Sequence, residues 1–225
     1  MARLRYALIV AGGQGHRMQT EVPKQFLPVA GQPILMHTLA VFHRCSPAIR
    51  LVLVLPEVDR ARWQTLCADY QFTVPHTVVT GGTSRSASVF NGLQAVADAP
   101  PSLVAVHDGV RPLVSPELIN RSYEAAGQHG SAVAAVSLKD SIRVVEEERN
   151  RAADRAAYRL VQTPQTFRTE WLRDAYARAQ GQAFSDDASL VEHSGRSIYL
   201  IEGDYRNLKI TTPEDLMVVQ ALLKK

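Results

Sequence analysis

The chain has 225 residues, 46% of them hydrophobic and 21% charged, and a formal net charge of +3. That balance excludes wholesale disorder and a coiled coil, and a chain this long can bury a core without disulfide or metal support. With a surplus of three cations and no run of five like charges, a nucleic-acid-binding arm is excluded and any anion site must be local.

Short apolar runs at 5–10, 50–55, 74–79, 103–106 and 132–136 predict strands that are apolar on both faces, as in a parallel sheet covered by helices. Helical patterns at 34–43, 58–69, 84–97 and 116–128 alternate with them. The last has Ser115 as N-cap, Pro116 at the first helical position and Gly130 just beyond its end. This alternation predicts βαβ units with right-handed crossovers.

The pattern breaks after Val136. Residues 141–162 read as a charged excursion, two antiparallel strands around a turn near 148–154. A lone hairpin is marginal, so it calls for a partner surface such as a second subunit; a surface loop is the alternative. Beyond it, 170–180 and 187–193 read as helices and 196–201 as a strand. Thr212-Pro213-Glu214-Asp215 opens a last helix with a capping-box-like start.

The N-terminal apolar stretch, 6–11, is too short for a signal segment, and no stretch approaches a membrane span. Cys45 and Cys67 have neither redox-motif nor zinc-site spacing and suit a reducing compartment. The expectation is a cytoplasmic protein without membrane or nucleic-acid partners.

Three segments carry chemistry. Ala11-Gly12-Gly13-Gln14-Gly15-His16-Arg17-Met18 follows the first strand, where glycines let backbone N–H groups approach a phosphate. It is not a dinucleotide fingerprint, because position 18 is Met18, and not a P-loop, because His16 and Arg17 follow Gly15. With Lys24 seven residues beyond Arg17, it offers a glycine backbone, a fork-shaped cation and a point charge. That set suits a triphosphate that gains charge at its α-phosphate in the transition state. Gly81-Gly82-Thr83-Ser84-Arg85-Ser86-Ala87-Ser88 follows the third strand; it reads as a flat-ligand loop or as a plain loop with an N-cap. His107-Asp108-Gly109-Val110-Arg111-Pro112 follows the fourth, and Asp108 is placed to bind Mg²⁺ or a sugar hydroxyl, Arg111 a phosphate, or the two to pair with one another. His107 reads as a packed residue rather than a base, and the other histidines show no metal-ligand spacing.

Taken in order, AGGQGHRM, PKQF, GGTSR with Ser88, HDGVRP, TPQTF, SDDAS and NLKITTPEDL resemble the 2-C-methyl-D-erythritol 4-phosphate cytidylyltransferase family across 11–216. The resemblance implies one α/β domain over 1–225. Its mostly parallel Rossmann-like sheet is wrapped by helices in the nucleotidyltransferase manner, with a protruding β-arm at 139–162 that dimerises. It implies transfer of a cytidylyl group from CTP to the methylerythritol phosphate with release of pyrophosphate, in non-mevalonate isoprenoid synthesis. Arg17 and Lys24 then match the stabilisers of the α-phosphate transition state, and Arg155 and Lys209 complete the catalytic set. Ala11, Gly12, Gly82, Thr83 and Ser88 match cytosine-recognising positions, and Gly13 and Gly15 the phosphate-cradling backbone. Asp108, Arg111 and Thr163, with Lys209, match acceptor-binding positions, and Ser141 and Arg155 match residues supplied by the arm of the neighbouring subunit. Mg²⁺ is the implied cofactor, held by the CTP phosphates or by Asp108. Thr83 stands where the family often has an acid, and Ser141 where it often has threonine. A cytidylyltransferase for another polyol phosphate, such as ribitol 5-phosphate, and a non-catalytic nucleotide-binding regulator are the alternative readings.

Overall fold

The computed structural model describes residues 3–13, 22–97, 101–179, 182 and 184–224. In chain order come β1 (Leu4–Val10), the short pair β2 (Pro28–Val29) and β3 (Gln32–Pro33), α1 (Ile34–Cys45), β4 (Arg50–Leu55), α2 (Glu57–Asp69) and β5 (Thr77–Thr80). Then follow α3 (Arg85–Leu93), β6 (Ser102–Asp108), α4 (Pro116–His129), β7 (Ser131–Ser137), β8 (Ile142–Glu146) and β9 (Arg149–Ala153). The chain ends with β10 (Arg159–Arg168), α5 (Thr169–Arg178), α6 (Asp187–His193), β11 (Leu200–Glu202) and α7 (Pro213–Leu223).

A seven-stranded sheet runs in the order β11-β7-β10-β6-β1-β4-β5. All its pairings are parallel except those of β10, which runs antiparallel between β6 and β7. Strand alternation divides the core. Ala7, Ile9, Leu51 and Leu53 face a layer with Leu39 and Phe42 of α1 and Tyr123 of α4. Tyr6, Leu8, Val52 and Val54 face the other layer, with Val89 of α3, Leu172 of α5 and Val191 of α6. Burial on both faces is what removes any polar alternation from these strands.

Three elements are shorter than their patterns predict. β5 begins only at Thr77, because Pro75 has no N–H for a ladder and His76 turns its ring into a contact with the Trp63 indole N–H at 2.9 Å. α3 stops at Leu93 rather than at 97, and the N–H groups of Gln94, Ala95 and Val96 tighten onto carbonyls three residues back. β11 starts at Leu200, because the Ser131 hydroxyl takes over the ladder, accepting from Tyr199 N and donating to Ser197 O.

The 141–162 segment also departs from expectation. The hairpin exists as the separate β8–β9 sheet, but its turn is Glu147–Glu148, with Glu147 in the left-handed region at φ 52°. The stretch expected as turn is strand β9 followed by a short 3-10 turn at Arg155–Ala157. Residues from Arg159 onward return to the main sheet as β10, whose register shifts between Val161 and Gln165 around Pro164. A strand proline sits at such an irregularity because it cannot donate to the ladder.

A third apolar group fixes the C-terminal segment. Val219 of α7 packs with Ile210, Val110, Val29 and Ile34, and Ile210 N donates to Val110 O at 3.0 Å. Residues 208–211 are thereby laid beside the carboxyl end of β6.

Gly130 ends α4 with φ 92°, and a Cβ there would lie 2.1 Å from the Trp171 ring. Gly195 has the same backbone sign, φ 87°, with nothing within 4 Å of its would-be Cβ. Gly195→Ala is therefore expected to cost only the left-handed backbone term, about 1–2 kcal/mol. Gly130→Ala is expected to add an overpacking cost of about 1–3 kcal/mol. Urea denaturation of the two variants checks this; equal losses would show that Trp171 yields freely.

Candidate active site

The carboxyl ends of the parallel strands are the rim on which α/β ligand sites form. Here the loops leaving β1, β5 and β6 are each tied to a neighbouring strand. Ala11 N donates to Val54 O at 3.0 Å, Gly81 N to Leu55 O at 2.7 Å and Gly109 N to Val10 O at 2.9 Å. The buried Gln25 amide, which sequence reasoning passed over, donates to Ala11 O at 3.1 Å and lies 3.5 Å from Asp59 Oδ2. The Pro-Lys-Gln segment is thus joined to the glycine loop.

A cleft of about 270 Å³ opens between these loops. Ala11, Gly12 and Gly13 line it from one loop, Gly82, Thr83 and Ser88 from another, and Lys24, Asp108 and Lys209 join them. The Ser88 hydroxyl is engaged within its own loop, accepting from Gly82 N at 3.1 Å and donating to Ser84 O at 2.8 Å. Gly82 has to be glycine, since a Cβ would meet Ala87 Cβ at 2.4 Å. Lys24 Nζ donates to Ile210 O at 3.0 Å, which brings two segments 186 residues apart into one site.

A second cleft of about 360 Å³ adjoins the first and contains Arg111 and Thr163, with Gln165 and Asp186. Arg85, Asp108 and Lys209 line both. At this junction Asp108 Oδ2 takes Lys209 Nζ at 3.0 Å and Arg111 Nε at 3.3 Å, and Oδ1 lies 3.9 Å from Arg85 Nε. Burial pushes the Asp108 carboxyl up, but Lys209, Arg111 and Arg85 together outweigh it and hold the group below the ordinary carboxylate range. Asp108 is ionised and largely neutralised in place.

His107 is fully buried beside it, and burial lowers its pKa to about 4. The neutral ring fits one proton arrangement. Asp108 N donates to Thr163 Oγ1 at 3.1 Å, that hydroxyl donates to His107 Nδ1 at 3.1 Å, and Nε2–H donates to Arg111 O at 3.2 Å. The ring holds Thr163 and Arg111 in register, with both of its nitrogens engaged inside the protein.

The structure does not bring every expected residue to the clefts. Ser141 and Arg155 are exposed and line neither, and the Arg155 guanidinium donates to Lys139 O of its own chain. Gly15 and Arg17 lie outside the described residues. Among the described residues no group of three or more His, Cys, Asp or Glu is placed to hold a metal. The Asp108 carboxylate has Lys209 and Arg111 on Oδ2 and Arg85 beside Oδ1, and these three neighbouring positive charges disfavour a protein-held Mg²⁺ there.

Comparisons with known proteins agree with one another. The family model described as IspD, 2-C-methyl-D-erythritol 4-phosphate cytidylyltransferase, matches residues 6–225. The Porphyromonas gingivalis protein of that name is 51% identical over 225 residues, covering 99% of each chain. Among solved structures, the cytidylyltransferase of the same name from Thermus thermophilus is 36% identical with a TM-score of 0.81 over the full length of both chains. The 4-diphosphocytidyl-2C-methyl-D-erythritol synthase of Anaerococcus prevotii is 28% identical with a TM-score of 0.84, covering 99% of each.

The buried histidine carries a pH dependence of stability. The unfolded chain takes up this proton from about pH 6.5 downward, the native chain only near pH 4. The contribution of neutral His107 is therefore complete above pH 6.5 and is lost as the pH falls to 4, about 3 kcal/mol in all. Urea unfolding across that window is expected to show this slope in the parent and not in His107→Gln. Equal slopes in both would contradict it.

Proposed function

The chain belongs to the 2-C-methyl-D-erythritol 4-phosphate cytidylyltransferase family and transfers a cytidylyl group from CTP to that acceptor in isoprenoid biosynthesis, and from that premise we propose how its two clefts divide the work. CTP occupies the first cleft, its base against Gly82, Thr83 and Ser88 with Ala11 and Gly12, its phosphates toward Gly13, Gly15, Arg17 and Lys24. The acceptor occupies the second, against Asp108, Arg111 and Thr163. The observation that carries this reading is that Arg85, Asp108 and Lys209 line both clefts, so ligands filling the two would abut.

In this arrangement an acceptor phosphate oxygen attacks the α-phosphorus in line as pyrophosphate leaves. The attacking phosphate is already anionic near neutral pH, so no general base is required. Neutral, fully hydrogen-bonded His107 is consistent with that. Arg17, Lys24 and Lys209 supply fixed positive charge where the transition state gains negative charge, and the clefts supply alignment. The CTP phosphates rather than a protein carboxylate would hold a divalent cation, which would offset charge on the leaving pyrophosphate, and Asp108 with its three cationic neighbours would serve the acceptor.

The remaining proposal is quaternary. The chain acts as one cytoplasmic nucleotidyltransferase domain, 1–225, that dimerises through 139–162, so that Ser141 and Arg155 serve the acceptor cleft of the other subunit. Exposed apolar side chains in this segment support it: Val145 is 72% exposed, Leu160 53% and Tyr158 47%.

Turnover of CTP with a panel of polyol phosphates tests the function, with methylerythritol phosphate expected as the preferred acceptor; preference for ribitol 5-phosphate would contradict it. Lys24→Ala is expected to lower kcat by roughly 10²–10³ with the fold intact. Mixing Lys24→Ala and Arg155→Ala subunits is expected to restore activity through one intact composite site per heterodimer. No recovery after verified subunit exchange would place Arg155 outside the other subunit's site.

A further inference from the structure

Arg85 stands between two carboxylates and belongs to the wall shared by both clefts. Its Nη1 lies 2.7 Å from Asp187 Oδ2, whereas its Nε is 3.9 Å from Asp108 Oδ1. Asp187 is the more constrained partner, with a side chain only 1% exposed against 31% for Arg85. It opens α6, and its Oδ1 accepts from the Tyr176 hydroxyl at 2.9 Å.

The helix start is itself pinned to β10. Gln165 Nε2 donates to Asp186 Oδ2 at 2.8 Å, and Gln165 Oε1 accepts from Ala188 N at 3.0 Å. Asp187 therefore cannot follow Arg85, and the guanidinium must come to it. The Arg85 pKa follows the same pattern: burial lowers it, and Asp187 and then Asp108 more than restore it.

This geometry matters for Asp108. Among the described residues its Oδ2 carries the contacts with Arg111 and Lys209, while Oδ1 accepts no hydrogen bond. A guanidinium released from Asp187 has only a short distance to close before it covers Oδ1. We propose that Asp187 is a positioning residue, which acts through Arg85 by holding the guanidinium against α6 and away from Asp108 Oδ1, so that this oxygen stays open to the acceptor. The inference rests on the assignment of the acceptor to the second cleft.

The test is a double-mutant cycle on the full-length enzyme, with KM for the acceptor, KM for CTP, kcat and melting temperature measured for each variant. Asp187→Asn is expected to raise the acceptor KM roughly tenfold, because the released guanidinium covers Asp108 Oδ1, with kcat changed much less; Arg85→Gln, which removes the guanidinium, is expected to raise it far less. The double variant is expected to match Arg85→Gln and so to relieve the Asp187→Asn defect, because Asp187 acts through Arg85. It also leaves no unbalanced buried charge, so its match to Arg85→Gln can be read even if Asp187→Asn does not fold. A double variant as impaired as Asp187→Asn would overturn the proposal, as would a lowered melting temperature of Asp187→Asn with its acceptor KM unchanged. Asp108→Asn reports on the cleft itself. If it raises the acceptor KM and Asp187→Asn does not, the pair has no positioning role. If none of the three raises it, both the cleft assignment and the inference fall.

Discussion

One carboxylate organises this molecule. Asp108 ends β6 inside the sheet and is nearly buried, yet it stays ionised because Lys209, Arg111 and Arg85 surround it. Those cations come from the residues before α7, from the turn after β6 and from the start of α3. A buried ion pair contributes little net stability, but removing one partner strands a charge at a cost of about 3–5 kcal/mol. The cluster therefore specifies position more than it adds stability. It requires α3, β6 and the 207–211 segment to meet at one point, and the two clefts share that point as a wall.

The surrounding architecture serves this arrangement. Lys209 reaches Asp108 because Ile210 and Val219 pack beneath it and Ile210 N is held by Val110 O. Arg111 is fixed from behind by the neutral His107 ring and from the side by Asn207 O at 2.8 Å. The antiparallel strand β10 is needed for the second cleft. Its register shift releases residues around Pro164 from the ladder, and Thr163 meets Asp108 N while Gln165 holds the start of α6. A regular strand there would point alternate side chains away from the site.

Much of this was legible in the sequence where one local cause decides the outcome. The buried strands show as unbroken apolar runs, and α4 carries both its cap signals, Ser115 and Gly130, as observed. The glycine loops, Asp108 and Arg111 were read from motifs at strand ends, Lys24 from the segment after the first glycine loop, and Lys209 from the family resemblance. What was missed depends on contacts across the chain. Nothing local marks β10 as the antiparallel strand, since Pro164 breaks its pattern and its partners lie on β6 and β7. Gln25, Arg85 and Asp187 lay within recognised motifs, but their roles appear only once Ala11 O and Asp108 are placed beside them. The bracing of its own loop by the Ser88 hydroxyl likewise appears only once Gly82 N and Ser84 O are placed beside it.

The claim that Asp108 separates a nucleotide cleft from an acceptor cleft is tested most directly by diffraction from crystals holding a non-hydrolysable CTP analogue, Mg²⁺ and the acceptor. The expected electron density places the base beside Gly82 and Ser88, the acceptor beside Arg111 and Thr163, and an acceptor hydroxyl on Asp108 Oδ1, with the cation on the nucleotide phosphates. Density showing the acceptor outside the second cleft, or Asp108 ligating the cation directly, would contradict it.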